Sequence, residues 1–260
     1  FAYFLNPRKL ELYFLQRKAA PVFSFDRDYS KIIWIACFLG VTQGLFRMTQ
    51  DSYVQSIFKL NADSAFEIQK SISSVFLIGS VLQLTALFIN AKVFEAKRLA
   101  PTYIIISSFV LQIAVFIYTI TNRSLESAIL FLALSKPHTG IYFISFNRLA
   151  AFFRYTAGIS IKTFNRIGSV MIAGLIFALI PANFHVQEFI IPVFCLLSIF
   201  LTYRFRTVLI PTLEKNIKSN YPDECVRAAV GLSYVQTPKY VETMSKQLQE
   251  NPVHILKKQI

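Results

Sequence analysis

A lysine and a proline, Lys136-Pro137, interrupt an otherwise uncharged run from Ser127 to Asn147. A cation in the middle of a membrane-spanning helix costs at least ~3 kcal/mol to insert, so it normally faces a cavity or a partner. Proline removes a backbone donor, which is tolerated where the backbone lines a cavity, as in the broken helices of transporters. The pair therefore predicts a binding site for an anion. Two alternatives remain open: the run is two short pieces with Lys136 at an interface, or the Lys136 amine reaches the lipid headgroups.

Four polar residues spaced four apart predict one polar helix face: Gln43, Arg47, Asp51 and Gln55. Neighbouring members lie one turn apart, so Arg47 and Asp51 can pair with each other. If the helix that starts near Ile32 continues past Asp51, the stripe enters the bundle and lines a polar pathway. If that helix ends near Phe46, the two charges form a solvated loop pair.

Arg166 precedes an apolar stretch and is followed closely by Gly168. We expect a helix to begin at Arg166, where its positive dipole end and unsatisfied N–H groups add to the guanidinium and attract an anion. The alternative is an arginine that only anchors the helix at the lipid headgroups. Further along, Gly174, Ala178 and Ala182 predict a ridge of small residues that lets helices pack closely.

The composition indicates the class of protein that holds these residues. Of 260 residues, 54% are hydrophobic and 16% are charged, and the mean hydropathy is +0.49, whereas soluble domains have about 25% charged residues. Six stretches with few or no charges can each form a helix that crosses about 30 Å of hydrocarbon. They are residues 32–46 with a continuation, 71–91, 99–122, 127–147, the stretch after Arg166, and 189–203. The sequence thus predicts an all-α membrane protein with a six-helix transmembrane bundle.

Lys and Arg concentrate before the first stretch, between the second and third, and between the fourth and fifth. Because basic residues mark the cytoplasmic side of membrane proteins, both ends of the chain are predicted to be cytoplasmic. A negatively charged inner leaflet is the partner of this pattern and accounts for the net charge of +13. No basic and aromatic surface segment stands apart from it, so we expect no nucleic-acid binding.

The cysteines and histidines indicate neither a metal site nor a catalytic centre. They are scattered and lack metal-ligand spacing: Cys37, Cys195, Cys225, His138, His185 and His254. No arrangement of nucleophile and base is recognisable in the sequence. We therefore expect no enzyme activity, no metal and no cofactor.

After Arg206 the composition becomes that of a soluble, helical tail. Its first segment contains Asp223, Arg227 and the Ala228-Ala229 pair, a second amphipathic segment covers residues 240–249, and Pro252 opens a third. This succession looks like HEAT-type repeats, with a bare tail of two helices as the alternative. One such unit cannot bury its apolar face alone, so more repeats are expected after residue 260, in a chain longer than the 260 residues given.

Two segments resemble a known family. The succession SKPHTGIYF at residues 135–143, a basic loop, and FNRIGSVMIAG at residues 164–174 resembles the tenth and eleventh helices of the ADP/ATP translocase family of intracellular bacteria and plastids, a branch of the major-facilitator-like transporters. Residues 75–103 are similar to its eighth and ninth helices. Lys136, Pro137, Arg166 and Gly168 match the family pattern. Gly140, Ala157 and Ile161 depart from it, because the family carries charged residues at about these positions.

The resemblance covers about residues 30–207 and implies the six-helix C-terminal half of a twelve-helix, major-facilitator-like protein. Residues 1–30 are then a cytoplasmic linker, residues 31–207 the transmembrane domain, and residues 208–260 a cytoplasmic, HEAT-like tail. It also implies a bacterial or organellar inner membrane and transport of a nucleotide or other anionic solute. Lys136, Arg166 and Arg47 would offer positive charge to the solute, beside the polar groups of Asp51 and Gln43. Pro137, Gly168 and Gly174 would be structural.

The departures at Gly140, Ala157 and Ile161 remove charges that bind polyphosphate and couple exchange in the family. A rival hypothesis is therefore a degenerate, non-transporting membrane scaffold. Such a protein would bind other proteins through its helices and its tail.

The charge pattern makes a testable prediction about topology. Single cysteines introduced near Asn122 and near Ala157 are expected to react with an impermeant thiol reagent from opposite sides of the membrane. The measurement is labelling in sealed vesicles of known orientation. Labelling of both positions from the same side would contradict the six-helix topology.

Overall fold

The computed structural model describes residues 27–61, 65–89, 100–180, 184–217 and 222–235. Within these ranges the chain forms α-helices and one π-helical turn, and no strand. The helices are α1 Arg27–Asn61, α2 Ala65–Ile89, α3 Pro101–Asn122, α4 Leu125–Ala151, α5 Tyr155–Ile167, α6 Ala173–Phe177, α7 Phe184–Ile217 and α8 Pro222–Val235. The π-helical turn, Gly168–Ile172, joins α5 to α6.

Six segments are long and apolar enough to cross a membrane: Tyr29–Leu60, Ile72–Ile89, Pro101–Asn122, Leu125–Ala151, Tyr155–Phe177 and His185–Ile217. The prediction of an all-α protein with six candidate membrane spans is thereby confirmed for the described residues. The major-facilitator arrangement, the sides on which the termini lie and the HEAT character of the tail stay predictions. The predicted tail segments at residues 240–249 and after Pro252 lie outside the described residues.

Several helices are longer than the hydropathy pattern indicated. Helix α1 begins at Arg27, inside the predicted linker, and continues to Asn61. Helix α7 runs from Phe184 to Ile217 rather than over residues 189–203, and it includes two prolines. Hydropathy marks only the part of a helix that lies in hydrocarbon, and a helix continues into the polar region wherever its ends find neighbours to pack on. The rest of the predicted linker, residues 1–26, lies outside the described residues.

Helix α1 lies at the centre of the bundle and packs against α4, α5, α6 and α7. In its most apolar window 72% of the residues are buried, against 11% for α2, which packs mainly on α4. Helices α1 and α7 run antiparallel, since Ser198 Oγ donates to Thr42 Oγ1 at 2.9 Å and Gln187 Nε2 donates to Ser52 Oγ at 2.9 Å. The bundle is therefore organised around its first helix.

The closest contact in the bundle joins α1 to α5 and the π-helical turn. A Cβ atom added at Gly40 would lie 2.1 Å from the Asn165 carbonyl oxygen, and one at Gly44 would lie 2.2 Å from the Ser169 carbonyl oxygen. On the facing side, a Cβ at Gly168 would lie 2.3 Å from the Cys37 carbonyl oxygen. The two backbones touch, which only glycine permits. We call these three glycines the glycine seam.

The predicted ridge of Gly174, Ala178 and Ala182 does not form this contact. A Cβ at Gly174 would meet only the Met48 methyl group at 3.9 Å, Ala178 is exposed, and Ala182 lies outside the described residues. The seam uses instead the Gly40-x-x-x-Gly44 spacing of α1, a known motif for close packing of membrane helices that the sequence interpretation overlooked.

The Glu188 carboxylate links several helices at the end of the bundle farthest from the start of α1. Glu188 on α7 accepts hydrogen bonds from Arg123 at 2.9 and 3.2 Å and from the Tyr53 hydroxyl at 3.1 Å. His185 Nδ1 lies 3.6 Å from the same carboxylate. Arg123 sits in the left-handed conformation (φ 45°) between α3 and α4, so Glu188 ties that turn to α1 and α7.

Helix α8 packs on the opposite end of the bundle. Its Ala228, Leu232 and Val235 are buried in the same core cluster as the membrane spans. Glu224 accepts a hydrogen bond from the Tyr29 hydroxyl of α1 at 2.8 Å, and Tyr234 stacks on Phe152 between α4 and α5. The first helix of the tail is therefore part of the bundle rather than a separate unit.

The glycine seam makes the second prediction. Gly40→Ala is expected to destabilise the protein by about 2 kcal/mol or more, because the Asn165 carbonyl that its methyl would meet is backbone and can move only with the whole helix. The matched control is Gly174→Ala, whose methyl finds a flexible methionine tip at van der Waals distance. The measurement is thermal unfolding in detergent. Equal melting temperatures for the two variants would contradict the close backbone contact.

Candidate anion-binding site

Lys136 lies within helix α4, which runs unbroken from Leu125 to Ala151 with Pro137 inside it. The alternative of two short pieces is therefore wrong. Lys136 lies about 16 Å along the axis from the start of its candidate span, so it is well inside that span. The N-terminus of this helix is stabilised by a reciprocal capping box between Ser124 and Ser127.

Helix α2 makes room for the Lys136 side chain and holds it. The Lys136 Cγ occupies the space beside Gly79, 2.8 Å from where a Cβ would stand there. The Lys136 amine lies over the Phe76 ring, 4.9 Å from its centroid, at cation–π distance. One turn further along α4, Gln83 Nε2 lies 3.3 Å from a Cβ added at Gly140. The contact between α2 and α4 therefore contains the Lys136 ammonium group and the neutral Gln83 amide.

Two buried amides donate to the part of α4 next to Pro137. Gln112 Nε2 of α3 donates to the Leu134 carbonyl at 2.9 Å, and Gln50 Nε2 of α1 donates to the Phe131 carbonyl at 3.1 Å. Pro137 has no N–H, so the Ala133 carbonyl loses its intrahelical donor. Gly79 lies against this freed carbonyl, since a Cβ added at Gly79 would be 3.3 Å from the Ala133 oxygen.

The stripe on α1 lies in continuous helix, so the alternative of a solvated loop pair is wrong. Its four residues do not share one environment: Gln43 is buried, Asp51 is half-buried, and Arg47 and Gln55 are exposed. Residues four apart advance about 40° around a helix at each step, so the ends of the stripe point about 120° apart. Gln43 consequently faces the core, where its Nε2 has no hydrogen-bond partner.

Three charged residues lie at about the same level of the bundle. Arg47 and Asp51 are one turn apart on α1, and Lys136 lies on α4. The grouping is loose, since the direct ion pairs of Glu188 have no counterpart at Asp51 in the described part of the chain. Helices α1 and α4 run antiparallel, because Phe46 contacts His138 with ring centroids 5.5 Å apart and Gln50 Nε2 donates to the Phe131 carbonyl at 3.1 Å. We call Arg47, Asp51 and Lys136 the charged cluster.

The structure places Arg166 away from the charged cluster and inside a helix. Helix α5 begins at Tyr155, so the prediction that a helix starts at Arg166 is wrong, and with it the contribution of free N–H groups and a dipole end. The charges that mark residues 148–166 as a loop in the sequence belong to helix ends and to the polar side of α5. Arg166 is exposed, while its neighbour Asn165 points inward and donates to the Ala36 carbonyl and the Tyr142 hydroxyl, both at 2.8 Å.

The distance between Arg166 and the charged cluster follows from the helix register. Gly40 faces Asn165 across the glycine seam, and Arg47 lies seven residues further along α1, which is about 10 Å. Gly168 belongs to the glycine seam and has no room for a bound phosphate.

A buried histidine was overlooked as a functional candidate. His138 is 3% exposed, and neither ring nitrogen has a hydrogen-bond partner of normal geometry. It packs edge-on against Phe46 and Phe109, with ring centroids 5.5 and 4.6 Å away. The signal for His138 in the sequence is its position directly after Lys136-Pro137. Metal-ligand spacing does not reveal it. Among the described residues no group of three or more His, Cys, Asp or Glu could hold a metal ion.

These features define the class: an all-helical protein with six candidate membrane spans and a charged cluster within them. No protein-family model, no curated protein and no solved structure matches the chain at the required significance. The function therefore has to be argued from the cluster itself.

The third prediction concerns the balance of charge in the cluster. Asp51→Asn is expected to cause no loss of stability, because burying a carboxylate that has no direct ion pair costs more than Arg47 and Lys136 return. The control is Gln55→Ala, one turn from Asp51 on an exposed position, which should leave the melting temperature unchanged. Thermal unfolding of the two variants checks this. A melting temperature that Asp51→Asn lowers would show that the cations stabilise Asp51 more than its burial destabilises it.

Proposed function

We propose that this chain is part of a transporter-like membrane protein, similar to the ADP/ATP translocase family, that passes an anionic solute along its charged cluster. The observation that supports the proposal is the presence of two cations and one carboxylate within the candidate membrane spans, Arg47 and Asp51 on α1 and Lys136 on α4. Arg47 is exposed there, and Asp51 and Lys136 are half-buried.

Contact with lipid hydrocarbon would be energetically unfavourable for these charges. Each cation would cost at least ~3 kcal/mol in hydrocarbon, and the exposed guanidinium of Arg47 lies far inside the span Tyr29–Leu60. These charges are therefore expected to line a water-filled pathway. An anion that enters the pathway gains charge-assisted hydrogen bonds from both cations, which are stronger than bonds between neutral groups.

The other predicted site residues do not bind the solute directly in this proposal. Arg166, about 10 Å nearer the start of α1, would attract an anion electrostatically before it reaches the cluster, on the predicted topology. Gln43 faces the core with an unpaired amide and would act only if the solute or water penetrates between the helices. Gly168 and Pro137 shape the helices and do not touch the solute.

The rival function, a membrane scaffold that binds other proteins, is favoured by the packing of the tail. Helix α8 contacts α1, α7 and the turn between α4 and α5 through buried residues and hydrogen bonds. A tail helix packed in this way would present a fixed surface to other proteins.

The experiment is anion binding and counterflow in vesicles that contain the purified protein. Lys136→Met and Arg47→Met are each expected to weaken binding of phosphate or ATP by about tenfold or more, given ~1.5–3 kcal/mol for a hydrogen bond to a charged group. Arg166→Ala should reduce uptake less and respond more to salt, because its action is at long range.

Gln55→Met is the matched control, since it removes a polar group from the same helix without changing the charge. Melting temperatures separate loss of binding from loss of fold. Wild-type protein that binds no anion would refute the transporter and leave the scaffold.

A further inference from the structure

We propose that His138 binds a proton during transport, so that the protein moves its anionic solute together with H⁺. This inference rests on the proposed function and names its coupling ion. It depends on the surroundings of one buried imidazole rather than on the charged cluster.

The His138 ring lies in a junction of three helices. It is 3% exposed and contacts Phe46 of α1 and Phe109 of α3 edge-on, with ring centroids 5.5 and 4.6 Å away. The backbone of Ser108 approaches the ring, yet neither ring nitrogen has a hydrogen bond within the described part of the chain. A neutral imidazole carries one N–H donor and one acceptor nitrogen, so both are left unsatisfied here.

An imidazole without partners is an unfavourable way to fill an apolar space. Burying a polar group costs free energy when no hydrogen bond is returned, and a phenylalanine would fill the space beside Phe46 and Phe109 without that cost. A buried polar atom that lacks a partner therefore indicates either a function or a bound water. Histidine changes its charge near neutral pH, which makes proton binding the function that this residue type supplies by itself.

Proton uptake changes what the ring requires. The acceptor nitrogen of the neutral ring takes an H⁺ from water in the pathway, and the resulting imidazolium has two donors and a positive charge. Such a cation is strongly unfavourable in a closed apolar junction. On α1, one turn from Phe46, Gln50 has a buried Oε1 that accepts no hydrogen bond. The protonated form therefore favours an arrangement in which the junction opens towards this acceptor, water or the solute.

The helices around His138 hold few titratable groups, and among the described residues no carboxylate pairs with the ring. These groups are Arg47 and Asp51 on α1, Lys136 and Tyr142 on α4, and Cys195 on α7, while α2 has none between Lys70 and Ile89 and α3 none between Tyr103 and Tyr118. Lys136 extends towards Phe76 of α2, and the Tyr142 hydroxyl accepts from Asn165. An anionic solute in the pathway is the counter-charge that the proposed function supplies.

Proton and anion then assist each other's binding. The imidazolium attracts the anion, and the bound anion makes the charged ring less unfavourable, so each ligand strengthens the binding of the other by the same factor. Since the protonated form is the one that binds, the affinity for the anion rises as the pH falls. One H⁺ taken up with each anion changes the affinity by up to about tenfold per pH unit.

The experiment measures binding of pyruvate to the purified full chain in vesicles from about pH 5.5 to 8, a range over which pyruvate keeps one negative charge. In wild-type protein the affinity is expected to rise at least about threefold for each unit by which the pH falls. Each pyruvate bound should also take up H⁺ from a weakly buffered solution. His138→Gln and His138→Phe should abolish the H⁺ uptake and hold the affinity within about twofold across the range. His185→Gln, which removes an exposed histidine at the start of α7, is the control and should keep the wild-type behaviour.

Melting temperatures distinguish a proton site from an ordinary core residue. His138→Phe keeps an aromatic ring beside Phe46 and Phe109 and removes two unsatisfied nitrogens, so it should preserve or raise the melting temperature. A lower melting temperature together with an unchanged pH dependence would show that a bound water or a hydrogen bond makes His138 structural, and would overturn the inference.

Pyruvate binding that does not depend on pH in wild-type protein, or a pH dependence that persists in both His138 variants, would also overturn the inference while the proposed function stands. Absence of binding for pyruvate, phosphate and ATP alike would overturn both.

Discussion

The bundle depends on the backbone contact between α1 and α5. Where Gly40 and Gly44 meet the carbonyls of Asn165 and Ser169, no side chain separates the two helices. Because α1 is held this closely on one side and packs on α7 and α4 on the others, its remaining flank is fixed in direction. That flank carries Arg47 and Asp51, so the glycines on one side of α1 decide where its charges point on the other.

Charged residues inside the candidate spans differ in whether they have direct partners. Glu188 near one end of the bundle has direct partners on α1 and on the turn between α3 and α4, and its side chain is only 14% exposed. Within the described ranges the members of the charged cluster form no direct ion pair of this kind, although they lie deeper in the candidate spans. Glu188 is satisfied by its own chain, and the charged cluster therefore differs from it in how its charges are packed.

The sequence was sufficient for the class of fold and for part of the cluster. Long apolar runs predict helices that cross a membrane, and the spacing of Arg47 and Asp51 is compatible with the helix that runs through both, although it left a loop pair open. The level of Lys136 relative to Asp51 could not be predicted, since it depends on the antiparallel register of α1 and α4. The start of α5 was misplaced because its first turns are polar, and polarity alone does not distinguish a loop from a helix that lies partly in the headgroup region. A single amide in an apolar run, such as Gln112, indicates an interhelical hydrogen bond, and Gln112 forms one. It does not reveal which carbonyl the amide will reach, so the partners of Gln50 and Gln112 could not be predicted.

The π-helical turn at Gly168–Ile172 gives the rod formed by α5 and α6 a property that a regular helix lacks. A π-helical turn is an α-helix with one residue too many, a dislocation in the hydrogen-bond ladder. The extra residue changes by about 100° the direction in which every later side chain leaves the helix. In this structure the Ala173 side chain lies beside Gly44 of α1, where it is buried with Val41 and Leu45. The one-residue insertion therefore sets which face the second half of the fifth span turns toward α1.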